Sequence, residues 1–231
     1  MFILNADPHG DYSKILNFCN KLNITSHDTI ILLGDVAVNY FGDFRDTPRK
    51  EILNNLPCNF FCIHGNHEMR PIHLSNYKLI DYNGGKAWQD PNYQKIIFAK
   101  DGEIYNLDGY KCVAIGGAYS VDKPYRLTHG LKWFEDEQPD DEIKNYVEKK
   151  LAENNWNVDY VFSHTCPISF EPREVFLKGL DQSKIDKTTE MWLGSIEYKL
   201  NYKKWYVGHY HTDKIYGNLR FLFDDFVELG K

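Results

Sequence analysis

Phe60-Phe61-Cys62-Ile63-His64-Gly65-Asn66-His67-Glu68 is the stretch on which the rest of the chain turns. It opens as a short apolar run, the pattern of a buried strand. It then breaks at a glycine and presents an amide, an imidazole and a carboxylate in succession. Strands of open α/β sheets deliver such groups at their carboxyl ends, where ligands bind. Asn66 offers a neutral oxygen ligand, and His67 a group that carries a proton near neutral pH. A turn around a buried histidine explains this stretch equally well in isolation, so the reading rests on four other segments built the same way.

Upstream, Phe2 to Asn5 reads as a strand ending at Asp7-Pro8-His9-Gly10-Asp11. Ser13 reads as an N-cap, followed at helical spacing by Ile15, Leu16, Phe18, Cys19 and Leu22. Thr29 to Leu33 is a buried strand ending at Gly34-Asp35. A helix starts near Asp46 with Pro48 in its first turn and Ile52, Leu53 and Leu56 on one face. The first third is therefore β-α-β-α-β, the pattern of a parallel sheet with crossover helices. Downstream, Lys95 to Ala99, Ile104 to Leu107 and Cys112 to Ile115 are short strands. Asp101-Gly102 and Asp108-Gly109 between them predict hairpins, hence an antiparallel meander. Asp122 to Asp141 shows no period and reads as a long loop, a feature associated with function. Asp140 to Ala152 is an amphipathic helix. Val158 to Phe162 is a strand ending at Ser163-His164, and a helix surrounds Met191, Trp192, Ile196 and Leu200. Lys204 to Val207 is a strand ending at Gly208-His209-Tyr210-His211. Two last strands, Lys214 to Tyr216 and Arg220 to Phe223, meet at Gly217-Asn218. One domain spanning 1–231 is the simplest organisation.

Composition narrows the classes. The chain has 231 residues, a formal net charge of −6 and 42% hydrophobic residues. Acidity disfavours binding of nucleic acid through bulk charge, although a nucleotide substrate remains compatible. The cysteines are five, an odd number, without a Cys-x-x-Cys pair, against a disulfide framework or structural zinc site. No apolar run approaches the roughly 20 residues of a membrane helix, and no leader precedes the first strand. A cytoplasmic location follows as an expectation.

Five strand ends thus hold Asp7 with His9, Asp35, Asn66 with His67, His164, and His209 with His211. This nitrogen and oxygen donor set, without thiolate, suits Mn²⁺, Fe, Zn²⁺ or Ni²⁺. The Asp-x-His and His-x-His spacings are two residues, so in extended chain both members of each pair point the same way. A lone Asp35 between ligand clusters can bridge two cations. Two metals about 3.5–4 Å apart would clamp a phosphate ester and acidify a water between them, with His67 donating the proton to the leaving alkoxide.

The ordered set Asp-x-His, Gly-Asp, Gly-Asn-His-Glu, lone His and Gly-His-x-His, running from residue 7 to residue 211, resembles the calcineurin-like metallophosphoesterase family. The resemblance covers nearly the whole chain. It implies an α/β, four-layer αββα fold in which two mixed β-sheets face each other with helices outside and two divalent metal ions at the sheet edge, Mn²⁺ foremost. It assigns Asp7, His9 and His211 to a first metal, Asp35 to the bridge, and Asn66, His164 and His209 to a second. His67 becomes the catalytic acid, and the reaction a hydrolysis of P–O bonds by metal-bound hydroxide without a covalent intermediate. The chain departs from the phosphoprotein phosphatases of that family at Val38 and Asn39, where they place a carboxylate and an arginine. Phosphate grip falls instead to Arg70 or Arg126. A phosphodiester or small phosphorylated metabolite, including a nucleotide, is favoured as substrate. Phosphoprotein phosphatase and a non-catalytic metal-binding scaffold are the alternatives, the latter opposed by the intact His67.

Other singular residues read more plainly. Cys166 precedes Arg173 by one residue too many for a thiol phosphatase loop, which Pro167 and Pro172 also interrupt. His64 reads as structural, and His27, His73 and His129 as surface residues. Tyr125 and Trp133 read as core cover, and Tyr210 as packing away from the ligands on either side of it. Oligomeric state is not written in the sequence.

Overall fold

The computed structural model describes residues 1–231. Its elements are β1 (Phe2–Asn5), α1 (Ser13–Leu22), β2 (Thr29–Leu32), α2 (Thr47–Asn55), β3 (Asn59–Cys62), β4 (Lys78–Tyr82), β5 (Gly85–Gln89), β6 (Ile96–Ala99), β7 (Ile104–Leu107), β8 (Tyr110–Ile115), α3 (Lys123–Thr128), α4 (Asp141–Glu153), β9 (Tyr160–Ser163), α5 (Thr188–Lys199), β10 (Lys204–Val207), β11 (Lys214–Tyr216), β12 (Leu219–Phe221) and β13 (Val227–Glu228). Two sheets form, in the orders β13-β1-β2-β3-β6-β5-β4 and β11-β12-β10-β9-β8-β7. Strands β1, β2, β3 and β6 run parallel in the first sheet, as do β8, β9, β10 and β12 in the second. Antiparallel strands complete the edges, so both sheets are mixed.

Side-chain alternation explains why the sheets stack. In β2 and the residue after it, Ile31 and Leu33 face the second sheet while Ile30 and Leu32 face the helices. In β10, Tyr206 faces inward while Trp205 and Val207 face α5. Both faces of each sheet are thus apolar, which is possible only where both are covered. Three apolar interfaces follow. One lies between α1, α2 and the first sheet, one between the sheets, and one between the second sheet and α4, α5. This is the αββα arrangement.

Several local expectations are corrected. Ser13 is the first helical residue of α1 rather than its cap, and its backbone N–H donates to Asp11 Oδ1 at 3.0 Å. The expected meander splits between the sheets. Asp108-Gly109 does close the β7–β8 hairpin, with Leu107 opposite Tyr110. The Asp101-Gly102 turn instead carries the chain from one sheet to the other, because the free edge of β6 is taken by β5. The β4–β5 hairpin has polar, half-exposed strands and escaped the periodicity reading. Its Asn83-Gly84 turn, with φ of 46° and 88°, was the available signal. The 122–141 stretch contains the short helix α3. On α2 the buried residues are Lys50 and Leu53, and Ile52 is exposed.

Phe61 sits between the sheets with Tyr105 and Tyr82 around its ring. Phe61→Ala is expected to cost about 3–5 kcal/mol in urea unfolding, and Ile52→Ala less than about 0.5 kcal/mol. Equal costs would contradict the layer assignment.

Candidate metal centre

All the singled-out strand-end residues leave the carboxyl ends of parallel strands. Asp7 and His9 follow β1, Asp35 follows β2, Asn66 and His67 follow β3, His164 follows β9, and His209 and His211 follow β10. The two sheets bring these ends together. His164, fully buried, stands between the two aspartates, with Nδ1 at 3.7 Å from Asp7 Oδ1 and Nε2 at 3.6 Å from Asp35 Oδ2. His9 Nε2 is 3.6 Å from Asp35 Oδ2 and 2.9 Å from His211 Nε2. His209 packs its ring edge-on against His164 at 5.0 Å and donates its backbone N–H to Asp7 Oδ2 at 2.7 Å. Asp7, His9 and His211 form one potential metal-holding group, and Asp7, Asp35 and His164 another.

The spacing argument for the two-residue pairs is overturned, although both pairs reach the centre. Asp7, His9, Asp35, His209 and His211 all have φ between 46° and 67°, five of the eleven non-glycine residues in that region. The chain at these points is a tight left-handed turn, not an extended strand, at a cost of about 1–3 kcal/mol each. Such strain gathers where the surrounding structure dictates the position of a functional group.

Donor orientation is set by neighbours. His164 Nδ1 donates to the Leu33 carbonyl at 2.7 Å, which turns Nε2 toward Asn66 Oδ1 at 2.8 Å. The Asn66 amide nitrogen donates to Ser120 Oγ at 2.8 Å, leaving the oxygen for the centre. Partners of this kind fix tautomer and aim in metal sites. Glu68, wholly buried, accepts from the backbone N–H groups of Gly65 and Ala37 at 3.1 Å each and so ties the β3 loop to the β2 loop. Burial and the nearby Asp35 charge push its carboxyl up to about 8. Neither Ser120 nor Glu68 was singled out from sequence as a positioning residue. The position of Glu68, directly after Asn66-His67, was the only hint. The glycines are dictated by space. A Cβ on Gly34 would stand 2.1 Å from His164 Nδ1, and one on Gly65 would stand 2.1 Å from Asp35 Oδ1.

The electrostatics fit a cationic occupant. Burial raises the Asp7 carboxyl well above its ordinary value, the attraction of His164 opposing and the Asp35 charge adding to the rise. Burial acts on Asp35 in the same direction, but the charge of His164, with His67 and His9, outweighs it and holds Asp35 well below the usual carboxylate range. Burial disfavours a charged His164, yet Asp35 and Asp7 raise it to about 9. Its proton serves where a metal cation would. Asp7 Oδ1 is buried with no hydrogen-bond donor. His9 and His211 are lowered, His211 to about 4, chiefly by partial burial, which leaves both rings neutral, with one Nε2 donating to the other at 2.9 Å. Two carboxylates, an amide oxygen and imidazoles converge, buried at Asp7, Asp35 and His164 and open to solvent at His9 and His211, as a donor set for divalent cations.

His67 is beside the cluster rather than in it. Its backbone N–H donates to Asp35 Oδ1 at 2.8 Å, and its ring lies 5.6 Å from that of His9. Arg126 Nη2 is 3.4 Å from His67 Nε2, and its Nε donates to Asp122 Oδ2 at 2.8 Å. The structure does not bring Arg70 to this place. Its Nη1 pairs with Asp101 Oδ2 at 2.6 Å, and its Nε donates to the Asp136 carbonyl at 2.9 Å. It lines, with His64, a separate cavity of about 510 Å³. His64 is buried away from the cluster, as expected. Tyr210 packs on Phe221, but its ring also lines the cavity containing His209 and His211, and Tyr125 is exposed rather than covering the core.

The family model described as calcineurin-like phosphoesterase matches residues 2–213. The chain belongs to that family. Calcineurin-like phosphoesterases are hydrolases that generally bind divalent metals. Among solved structures, the chain is similar to TT1561 of Thermus thermophilus, with a TM-score of 0.54 and 14% identity over 96% of this chain and 87% of that one. A phosphopantetheinyl hydrolase from Mycobacterium tuberculosis aligns with a TM-score of 0.48 and 13% identity, covering 95% of this chain and 86% of that one. No curated protein matches significantly. No helix is long and apolar enough to cross a membrane.

A cation coordinated by His164 Nε2 would displace the proton that ring carries. Apparent Mn²⁺ affinity is therefore expected to rise about tenfold or more per pH unit below about pH 9, the raised Asp7 carboxyl adding to the proton release, and then to level off. In metal-free protein the His164 proton stabilises the fold below about pH 6.5, and that contribution is lost as pH rises through about 9. Calorimetry in buffers of different ionisation enthalpy checks the release, and a pH-independent affinity would contradict it. Gly65→Ala is expected to abolish the Mn²⁺-induced rise in melting temperature.

Proposed function

We propose that the protein is a dinuclear metal-dependent phosphoesterase that hydrolyses P–O bonds of a phosphodiester or a small phosphorylated metabolite. The observation that carries this reading is the placement of Asp35 between two donor groups. Its Oδ2 lies 3.6 Å from His9 Nε2 and 3.6 Å from His164 Nε2. Asp7, His9 and His211 would hold one cation, Asn66, His164 and His209 the other, with Asp35 shared. Paired divalent cations supply charge neutralisation for the ester oxygens and acidify a water for attack.

The chain's own residues do the rest. His67 stands outside the ligand cluster with its ring free to face an ester. Burial and the nearby Arg126 lower its proton affinity, with Asp35 opposing. An anionic phosphate placed against it raises that affinity again, so substrate binding itself readies His67 to give a proton to the leaving oxygen. Arg126, braced by Asp122, stands at hydrogen-bond range of the same ring and offers its guanidinium to the phosphate. Glu68 and Ser120 keep the geometry by holding the loops and the Asn66 amide.

Phosphoprotein as substrate is less well supported. Val38 is buried in the helix-side core, and Asn39 is buried with its Oδ1 accepting from Tyr77 at 3.0 Å, so neither side chain is available to orient His67 or grip phosphate.

Hydrolysis of bis(p-nitrophenyl) phosphate with added Mn²⁺ tests the reading. His67→Ala should lower kcat about 10²- to 10⁴-fold while leaving Mn²⁺ binding intact, and Asp35→Asn should remove both. A chiral phosphorothioate hydrolysed in isotopically labelled water should invert. Retention, or a His67→Ala variant with full activity, would contradict the proposal.

A further inference from the structure

The metal centre does not end at its ligands. Asp35, Asn66, His67, His209 and His211 form one end of a cavity of about 420 Å³, within the range of small-molecule sites. Its other end is built from the 171–190 segment and has a different character. Val175, Phe176, Leu177, Leu180 and Ile185 line it, and Val175, Leu177 and Leu180 are 38%, 63% and 38% exposed. Apolar side chains left open to water beside a reactive centre mark a contact surface for a ligand.

At the base of this arm stands Glu190, on α5, only 4% exposed. Its Oε1 accepts from Thr165 Oγ1 at 2.7 Å, while its Oε2 is buried with no donor. A buried carboxylate oxygen without a partner is costly unless something arrives to donate to it. The neighbouring Glu171 is already occupied by Lys187, with contacts at 2.8 and 2.9 Å. Asp186 also lines the arm, and Lys187 is its only cation. Beyond the metal ligands the arm is therefore apolar along its wall and acidic at its base.

Resting on the phosphoesterase reading above, we propose that this arm is the pocket for the group esterified to the phosphate, and that it selects an apolar body ending in a hydrogen-bond donor, an amine or hydroxyl received by Glu190. Continuity of the cavity places the phosphorus at the metal centre when such a group fills the arm. The acidic base disfavours an ester group that carries a further carboxylate or phosphate.

Binding of non-hydrolysable methyl-, hexyl-, 6-aminohexyl- and 5-carboxypentylphosphonate to the Mn²⁺-loaded protein, read by calorimetry, tests this. Hexylphosphonate should bind about tenfold or more tightly than methylphosphonate, since each buried methylene contributes about fourfold at most. The aminohexyl compound should exceed the carboxypentyl one by about tenfold or more. Leu177→Asp, at an exposed position, should flatten the chain-length dependence. Glu190→Gln, which can still accept from Thr165, should remove the amine preference and keep the hexyl gain. A flat series, or tighter binding of the carboxylate, overturns the pocket. Mn²⁺-dependent hydrolysis of methyl p-nitrophenyl phosphate, whose activated leaving group reacts without needing contacts in the arm, reports separately on the phosphoesterase reading, so the two can fail independently.

Discussion

Two carboxylates, Asp7 and Asp35, are buried where the carboxyl ends of the two sheets meet, and everything around them answers their charge. Such groups cannot stay charged in a protein interior without a counter-charge. The metal-free answer is twofold: burial pushes the Asp7 carboxyl up toward its neutral form, and a protonated His164 wedged between the pair holds Asp35 charged, with its other contacts to Leu33 and Asn66 already aimed. Divalent cations taking the place of that proton would supply the counter-charge the two carboxylates need and free a ring nitrogen for coordination. The fold supplies the meeting point because parallel strands from both sheets end there, and the three apolar layers hold the sheets in register.

The loops that carry the donors are strained and tightly packed. Five of the candidate ligand residues sit at positive φ, and Gly34 and Gly65 leave no space for even a methyl group against His164 and Asp35. Glu68 links two of these loops through backbone N–H groups from inside the core. Core packing, rather than the local preference of each turn, therefore sets the positions of the donors.

Much of this was legible in the sequence, for physical reasons. The motif residues follow short apolar runs, and Asp35, Asn66 and His209 come directly after a glycine, a pattern that needs no long-range information. The β-α-β-α-β start follows from periodicity. What stayed hidden depends on partners distant in the chain. The role of Asp101-Gly102 turned on whether β5 already occupied the edge of β6. Arg70 looks like a phosphate grip beside His67, but Asp101 and Asp136 pull it to another cavity. Ser120 and Glu190 carry no motif, and only the assembled fold shows what they touch. The two-residue spacing of Asp7 and His9 led to the right grouping through the wrong conformation.

Anomalous X-ray scattering from crystals soaked in manganese tests the central claim most directly. Two peaks about 3.5–4 Å apart are expected between Asp7 and His209, with Asp35 reaching both and Asn66 Oδ1 and His164 Nε2 facing one of them. No peak at this position, or a single ion that leaves Asp35 or His164 uncoordinated, would contradict the account.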